Sequence, residues 1–323
     1  MTARNILAEA RGLTKTFPIK GREGGAVLHA VSQVDIAIRE GETLALVGES
    51  GCGKSTLGRL LLGLLPPTAG QVFFDGQELA KLSPAALRSL RRQMQMVFQD
   101  TGAALNPRLD VAGILAEPMK IHNLCPREEM RDRAGDLLEQ VGLPRELLTR
   151  FPHALSGGQR QRVVIARALA LDPRLVVCDE PVSALDVSVQ AQILNLLADL
   201  QESRRLTYLF VSHDLGVVRH IADRVCVRFL GKICEIGDTE EIFRRPRHPY
   251  TRFLLDSVPR PDPALRDRSG CILTGEMPSP MNPPSGCRFR TRCPYARELC
   301  GETAPELRSE GGRQIACHFP LEV

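Results

Sequence analysis

The sequence predicts an α/β fold in which a mostly parallel sheet is covered by helices. Three observations carry this reading. Short apolar runs of strand length recur along the chain with helical patterns between them. A glycine-rich segment, Gly48 to Ser55, falls between one such run and a helix. Near residue 256 the composition shifts towards proline, glycine and cysteine, which sets a small irregular extension apart from the main body.

The elements follow in order. Ala26 to Ile38 alternates apolar and polar residues, as a half-buried strand does, and Glu40-Gly41 turns the chain. Thr43 to Val47 is a short apolar strand. Ser55 to Leu65 is a helical apolar run, expected to end at Pro66-Pro67. Gln71 to Phe74 reads as a strand closed by Asp75-Gly76. The middle is helical: Met130, Ala134, Leu137, Leu138 and Val141 repeat at helical spacing within Arg127 to Val141, and Gly142-Leu143-Pro144 stops that helix. Ser156 can cap a second helix running to Asp172-Pro173. Leu175 to Cys178 and Leu206 to Val211 are buried strands, with the helical pattern Val187 to Leu200 between them. Seven prolines between Pro259 and Pro284 make an extended connector.

Composition narrows the class. The 323 residues are 43% apolar and 25% charged, so the chain is neither disordered nor fibrous. No apolar run approaches the length of a membrane span, and Met1 to Phe17 has no secretory pattern. A net charge of +4 is weak for a nucleic-acid binder. These features place the chain in the reducing cytosol, where disulfides are rare. Ten cysteines are then unexpected, and four of them (Cys287, Cys293, Cys300 and Cys317) fall in the last 37 residues.

Gly48-Glu49-Ser50-Gly51-Cys52-Gly53-Lys54-Ser55 matches G-x-x-x-x-G-K-[ST], with a strand before it and a helix after. The glycines let backbone N–H groups turn inward around phosphate oxygens, and the helix N-terminus adds a favourable dipole. Lys54 is placed to reach the β- and γ-phosphates of a nucleotide, and the Ser55 hydroxyl to ligate Mg²⁺; Thr56 completes the candidate nucleotide-binding run. Cys52, between two glycines, is a candidate for thiol modification beside a positive site. Asp179 and Glu180 close the buried run Leu175 to Cys178. Asp179 is the candidate Mg²⁺ partner and Glu180 the catalytic group that polarises the attacking water. Ser156, Gly157, Gly158 and Gln159 open a helix and so form a second potential anion site. One phosphate loop does not need two such sites for one nucleotide. A head-to-tail dimer does, with the second site of each subunit covering the nucleotide of the other.

On these motifs the chain resembles the ATP-binding cassette (ABC) family of P-loop NTPases over about residues 8–255. The resemblance implies an antiparallel β subdomain and a helical subdomain (about 100–170) beside the central sheet. It implies that Phe17 stacks on adenine and that Gln99 contacts Mg²⁺ and links the site to a membrane partner. It further implies that Ser156 to Gln159 bind the opposite subunit's γ-phosphate, that Ser183 to Asp186 cross the dimer interface, and that His213 is catalytic through the γ-phosphate. Arg247-His-Pro-Tyr-Thr251 and Ser279 to Cys287 are similar to segments of dipeptide/oligopeptide importer ATPases, a group that includes nickel, glutathione and metallophore importers. The implied partners are a second cassette subunit (a copy or a paralogue), two transmembrane permease subunits and, indirectly, a periplasmic solute-binding protein. The implied location is the cytoplasmic face of the inner membrane. A soluble, non-transport ABC ATPase is the reading from another class. The domains expected are an ATP-binding domain over 1–255 and a connector with a cysteine-rich extension over 256–323.

The tail spacing, C-x₅-C-x₆-C-x₁₆-C, lacks the C-x₂-C knuckle, so spacing alone names no metal. Four thiols in a short segment suit a soft metal, which would stabilise a piece too small for its own core. The resemblance makes Cys287, Cys293, Cys300 and Cys317 ligands of a [4Fe–4S] cluster; Zn²⁺, or no metal, are the alternatives.

Overall fold

The computed structural model describes residues 5–19, 26–258 and 276–322. Much of the proline-rich connector, residues 259–275, lies outside the described residues. The chain divides into two compact units. One comprises Ile6–Ile38, Glu42–Ala80 and Ser212–Val323; the other comprises Lys81–Val211 with Met1–Asn5 and Arg39–Gly41.

The first unit carries an antiparallel sheet ordered Val27–Arg39, Ile6–Pro18, Ala69–Phe74 and Gln77–Glu78. Its second layer of strands starts with Thr43–Val47, which is buried throughout. That strand pairs parallel with Arg224–Phe229, Leu44 opposite Arg224 and Val47 opposite Val227. Arg224–Phe229 then pairs antiparallel with Lys232–Asp238, and Lys232–Asp238 with the tail strand Arg313–Ile315. The tail is therefore part of this sheet. Its Phe289 packs edge-on against Phe229 at 5.3 Å and beside Tyr250 at 5.2 Å, within a core that includes Ala45, Val47, Val225 and Val227. Aromatic pairs in such geometry add about 0.5–1.5 kcal/mol each beyond the area they bury.

The second unit carries three parallel strands, Met94–Val97, Leu175–Asp179 and Thr207–Val211, in that spatial order. Its helices Val111–His122, Met130–Gln140 and Gly157–Leu169 occupy the region the sequence assigns to helices, and Val187–Arg204 connects the last two strands. Among the described residues, no helix is long and apolar enough to cross a membrane.

Several boundaries differ from the sequence expectation for visible reasons. The helix after the phosphate loop is Lys54–Leu61 and stops short of Pro66. Gly63 takes a left-handed φ of 61°, its N–H reaches Leu60 O, and Leu64 N–H reaches Arg59 O. That is a glycine-terminated end, and it acts three residues before the prolines. Val187–Arg204 runs four residues beyond Leu200 and ends at Arg205, also left-handed with φ 54°. Val111–His122 carries Pro118 in its interior, a position that costs one backbone hydrogen bond of the helix.

Candidate functional site

The phosphate loop sits in the first unit. Gly51 and Gly53 adopt φ of 78° and 88°, in the left-handed region, and Gly48 adopts 151°. Two of these glycines are required by packing as well. A Cβ on Gly48 would lie 2.2 Å from Arg228 O, and one on Gly53 would lie 2.0 Å from Ala30 O. Lys54 begins the helix and is 6% exposed. Its Nζ donates to Gly48 O at 2.7 Å and Glu49 O at 3.2 Å, so the cation is held across the mouth of the loop. Ser55 and Thr56 follow on the first turn, both half-buried. Glycine-permitted N–H groups, a helix N-terminus and a lysine held over the loop make a donor set that fits the phosphates of a nucleotide.

Three residues that the sequence reading did not assign are bonded to this loop. Arg228 is fully buried; its Nη1 donates to Gly53 O at 2.7 Å, and its Nη2 to Gly231 O at 3.1 Å and Ala30 O at 3.4 Å. Burial pulls its pKa down, and backbone carbonyls rather than a carboxylate receive the cation. Tyr250, fully buried, accepts the Glu49 N–H at its Oη, 3.0 Å away. Arg292, from the tail, lies 3.0 Å from both Glu49 carboxylate oxygens. One of the three was visible in sequence, since Arg228 interrupts the apolar run Val225 to Phe229. Tyr250 lies within the Arg247 to Thr251 segment already noted.

Cys52 is 1% exposed, which corrects the expectation that it is open to thiol reagents. Phe17 is half-buried on the antiparallel sheet, with Lys15 Nζ over its ring at 5.1 Å. His213 is exposed and follows Ser212, whose N–H bonds to Leu46 O.

The second unit places the acidic pair at the end of Leu175–Asp179. Asp179 is 2% exposed. Glu180 takes a left-handed φ of 48°, its N–H bonds to Val211 O, and its Oε2 accepts from Gln99 Nε2 at 3.0 Å. Two residues 81 positions apart in sequence, the candidate base and the candidate link to a membrane partner, are therefore in direct contact.

Ser156 caps Gly157–Leu169 as expected. Its Oγ accepts the Gln159 N–H at 3.2 Å, while Gln159 Oε1 accepts the Ser156 N–H at 2.9 Å. Gly158 has no room for a side chain, because a Cβ would meet Val189 Cγ1 at 2.7 Å. Asp186 caps the next helix through Val189 N–H and takes a hydrogen bond from Ser188 Oγ, which with that N–H holds its carboxyl below the usual range. Ser156→Ala removes one half of the reciprocal cap and is expected to lower unfolding free energy by about 1 kcal/mol, read from urea unfolding.

The four tail cysteines line one cavity together with Phe289 and His318. None of the four is in a disulfide among the described residues, and burial pushes the Cys317 thiol up to about 11. Their chemistry suits a soft metal. Among the described residues, however, no three histidine, cysteine or acidic groups are arranged to hold a metal ion.

The loop, the buried acidic strand end and the capped glycine-rich helix define a P-loop nucleoside-triphosphatase. Residues 31–183 match the ABC transporter family, and residues 234–300 match the oligopeptide/dipeptide transporter C-terminal region. The oligopeptide transport ATP-binding protein AppF of Bacillus subtilis is 50% identical over 99% of this chain and 99% of its own length. YkfD of the same organism is 55% identical over 90% of this chain and 89% of its own. The dimeric post-hydrolysis structure of the ATP-binding cassette MJ0796, bound to ADP and Pi, superposes with a TM-score of 0.65 at 32% identity, covering 72% of this chain and 99% of that one. The chain belongs to the ABC transporter ATPases, of the oligopeptide importer type, and has their P-loop fold.

Proposed function

We propose that the chain is the ATP-hydrolysing subunit of an importer that energises uptake of dipeptides and oligopeptides. The observation that carries this is end-to-end similarity to AppF, together with the match of residues 234–300 to the oligopeptide/dipeptide transporter C-terminal region. The functional divisions are an ATP-binding domain over 1–255 and a tail domain over 256–323. The subunit works at the cytoplasmic face of the inner membrane. It pairs head to tail with a second ATPase subunit and docks on two permease subunits served by a solute-binding protein.

Within this reading the loop N–H groups and Lys54 bind the β- and γ-phosphates, and Phe17 receives the adenine. Ser55, Asp179 and Gln99 would hold Mg²⁺, which neutralises charge developing on the phosphates when bound. Glu180 orients the attacking water and takes its proton, and His213 supports the γ-phosphate. Ser156 to Gln159 of the partner subunit's copy close over the nucleotide, with the Ser183 to Asp186 loop at the interface. The Gln99–Glu180 hydrogen bond ties the base to the start of the helical region, and so to the motion passed to the permease.

In this reading Cys287, Cys293, Cys300 and Cys317, which line one cavity, would hold a [4Fe–4S] cluster, and the cluster would stabilise a segment too small for its own core. Anaerobically purified protein is expected to contain iron and acid-labile sulfide. Stoichiometric zinc without sulfide would overturn the cluster.

The test of the function is uptake by a strain lacking the gene. Labelled di- and oligopeptide uptake should fall and return with the wild-type chain but not with Glu180→Gln. Loss confined to nickel, glutathione or a metallophore would reassign the cargo. Unchanged uptake, with the protein absent from membranes that contain the permease, would favour the soluble ATPase.

A further inference from the structure

We propose that Arg292, carried by the cysteine-rich tail, is a positioning residue for the phosphate loop, acting through Glu49. The proposal rests on the reading of that loop as the nucleotide site.

Glu49 is the second residue of the loop, and the only acidic one in it. Its backbone N–H is held by Tyr250 Oη at 3.0 Å. Its carboxylate is met by one guanidinium nitrogen of Arg292, 3.0 Å from each oxygen. The pair is well shielded, with side-chain exposures of 11% for Arg292 and 23% for Glu49. Arg292 itself is fixed by the tail. Its N–H bonds to Phe289 O, Phe289 is buried against Phe229 and Tyr250, and the next residue, Cys293, packs on the same core.

Two physical consequences follow. A loop containing three glycines has much conformational freedom to lose when it closes around phosphates, and holding Glu49 by both backbone and side chain removes part of that cost beforehand. A carboxylate within a polyphosphate-binding loop also repels the ligand, and Arg292 offsets that charge at short range in a partly dehydrated place. Both effects act on affinity, and the electrostatic one depends on Glu49 being charged.

The test is equilibrium ATP binding by the full chain, paired with thermal unfolding, in a double-mutant cycle. Arg292→Ala should weaken ATP binding about tenfold, within the range of coupling between contacting charged residues. Arg292→Lys should recover part of the loss. In a Glu49→Gln background, Arg292→Ala should lose most of its effect, because no bare carboxylate remains. Arg313→Gln serves as the structural comparison. It removes the tail contact with Glu235 and Glu241 and should lower the unfolding temperature without moving ATP affinity.

Wild-type affinity in Arg292→Ala would overturn the proposal. So would an undiminished penalty in the Glu49→Gln background, or an equal loss in Arg313→Gln, which would make the tail a general stabiliser only. A wild-type chain that fails to bind ATP would instead sink the nucleotide reading itself. If Arg292→Ala does not fold, Arg292→Lys and Glu49→Gln still decide the matter through the same cycle.

Discussion

Glu180→Gln should bind ATP within about threefold of the wild type and hydrolyse it about 10²–10⁴-fold more slowly. The amide matches the carboxylate in shape, keeps the left-handed backbone at φ 48° unchanged and can still accept from Gln99 Nε2. It cannot take a proton from water. Ground-state binding depends on the loop and Lys54 and is untouched, so the loss falls on turnover. Phosphate release and equilibrium nucleotide binding separate the two. Wild-type hydrolysis in this variant would move the base elsewhere. Under the proposed head-to-tail pairing, the same variant with ATP present should accumulate as a dimer in sedimentation, because its nucleotide is no longer consumed.

Gly53→Ala should abolish measurable ATP binding, a loss of at least about a hundredfold, equivalent to roughly 2.7 kcal/mol. Two costs combine. The left-handed conformation at φ 88° is unfavourable by about 1–2 kcal/mol for a residue with a Cβ. That Cβ would also lie 2.0 Å from Ala30 O, a backbone atom with little freedom to retreat. Relieving the clash displaces Gly53 O from Arg228 and opens the base of the loop. Gly51→Ala provides the contrast. Its φ of 78° is similarly strained, but its surroundings within 4 Å are open, so only the backbone cost applies and binding should fall about five- to thirtyfold. Equal losses in the two variants would show that the contact with Ala30 is unimportant.

What was legible in the sequence follows from how local each feature is. Thr43 to Val47, the phosphate loop and the Ser156 cap are set by residues within a few positions of one another, and they stand where the sequence puts them. The end of Lys54–Leu61 was misplaced because two stop signals compete there, and Gly63 precedes the prolines. Ile6–Pro18 was missed as a strand because its alternation breaks where the register shifts between Arg11 and Thr14. The supports under the loop were not legible as such. Arg228 bonds to Gly53 across 175 positions and Arg292 to Glu49 across 243, and no local pattern records which backbone atoms a buried cation will meet. The hydrogen bond between Gln99 and Glu180 is of the same kind: both residues were identified, but their contact is a product of the parallel pairing of Met94–Val97 with Leu175–Asp179.

The 243 positions between Glu49 and Arg292 also set an order in time. Synthesis runs from the N-terminus, so the nucleotide loop leaves the ribosome well before the arginine that pairs with its Glu49. A chain that stops short of residue 292 contains every residue of the phosphate loop and lacks its restraint. A chain that carries the tail as far as Arg292 has the ion pair on its loop, and one cut before it does not.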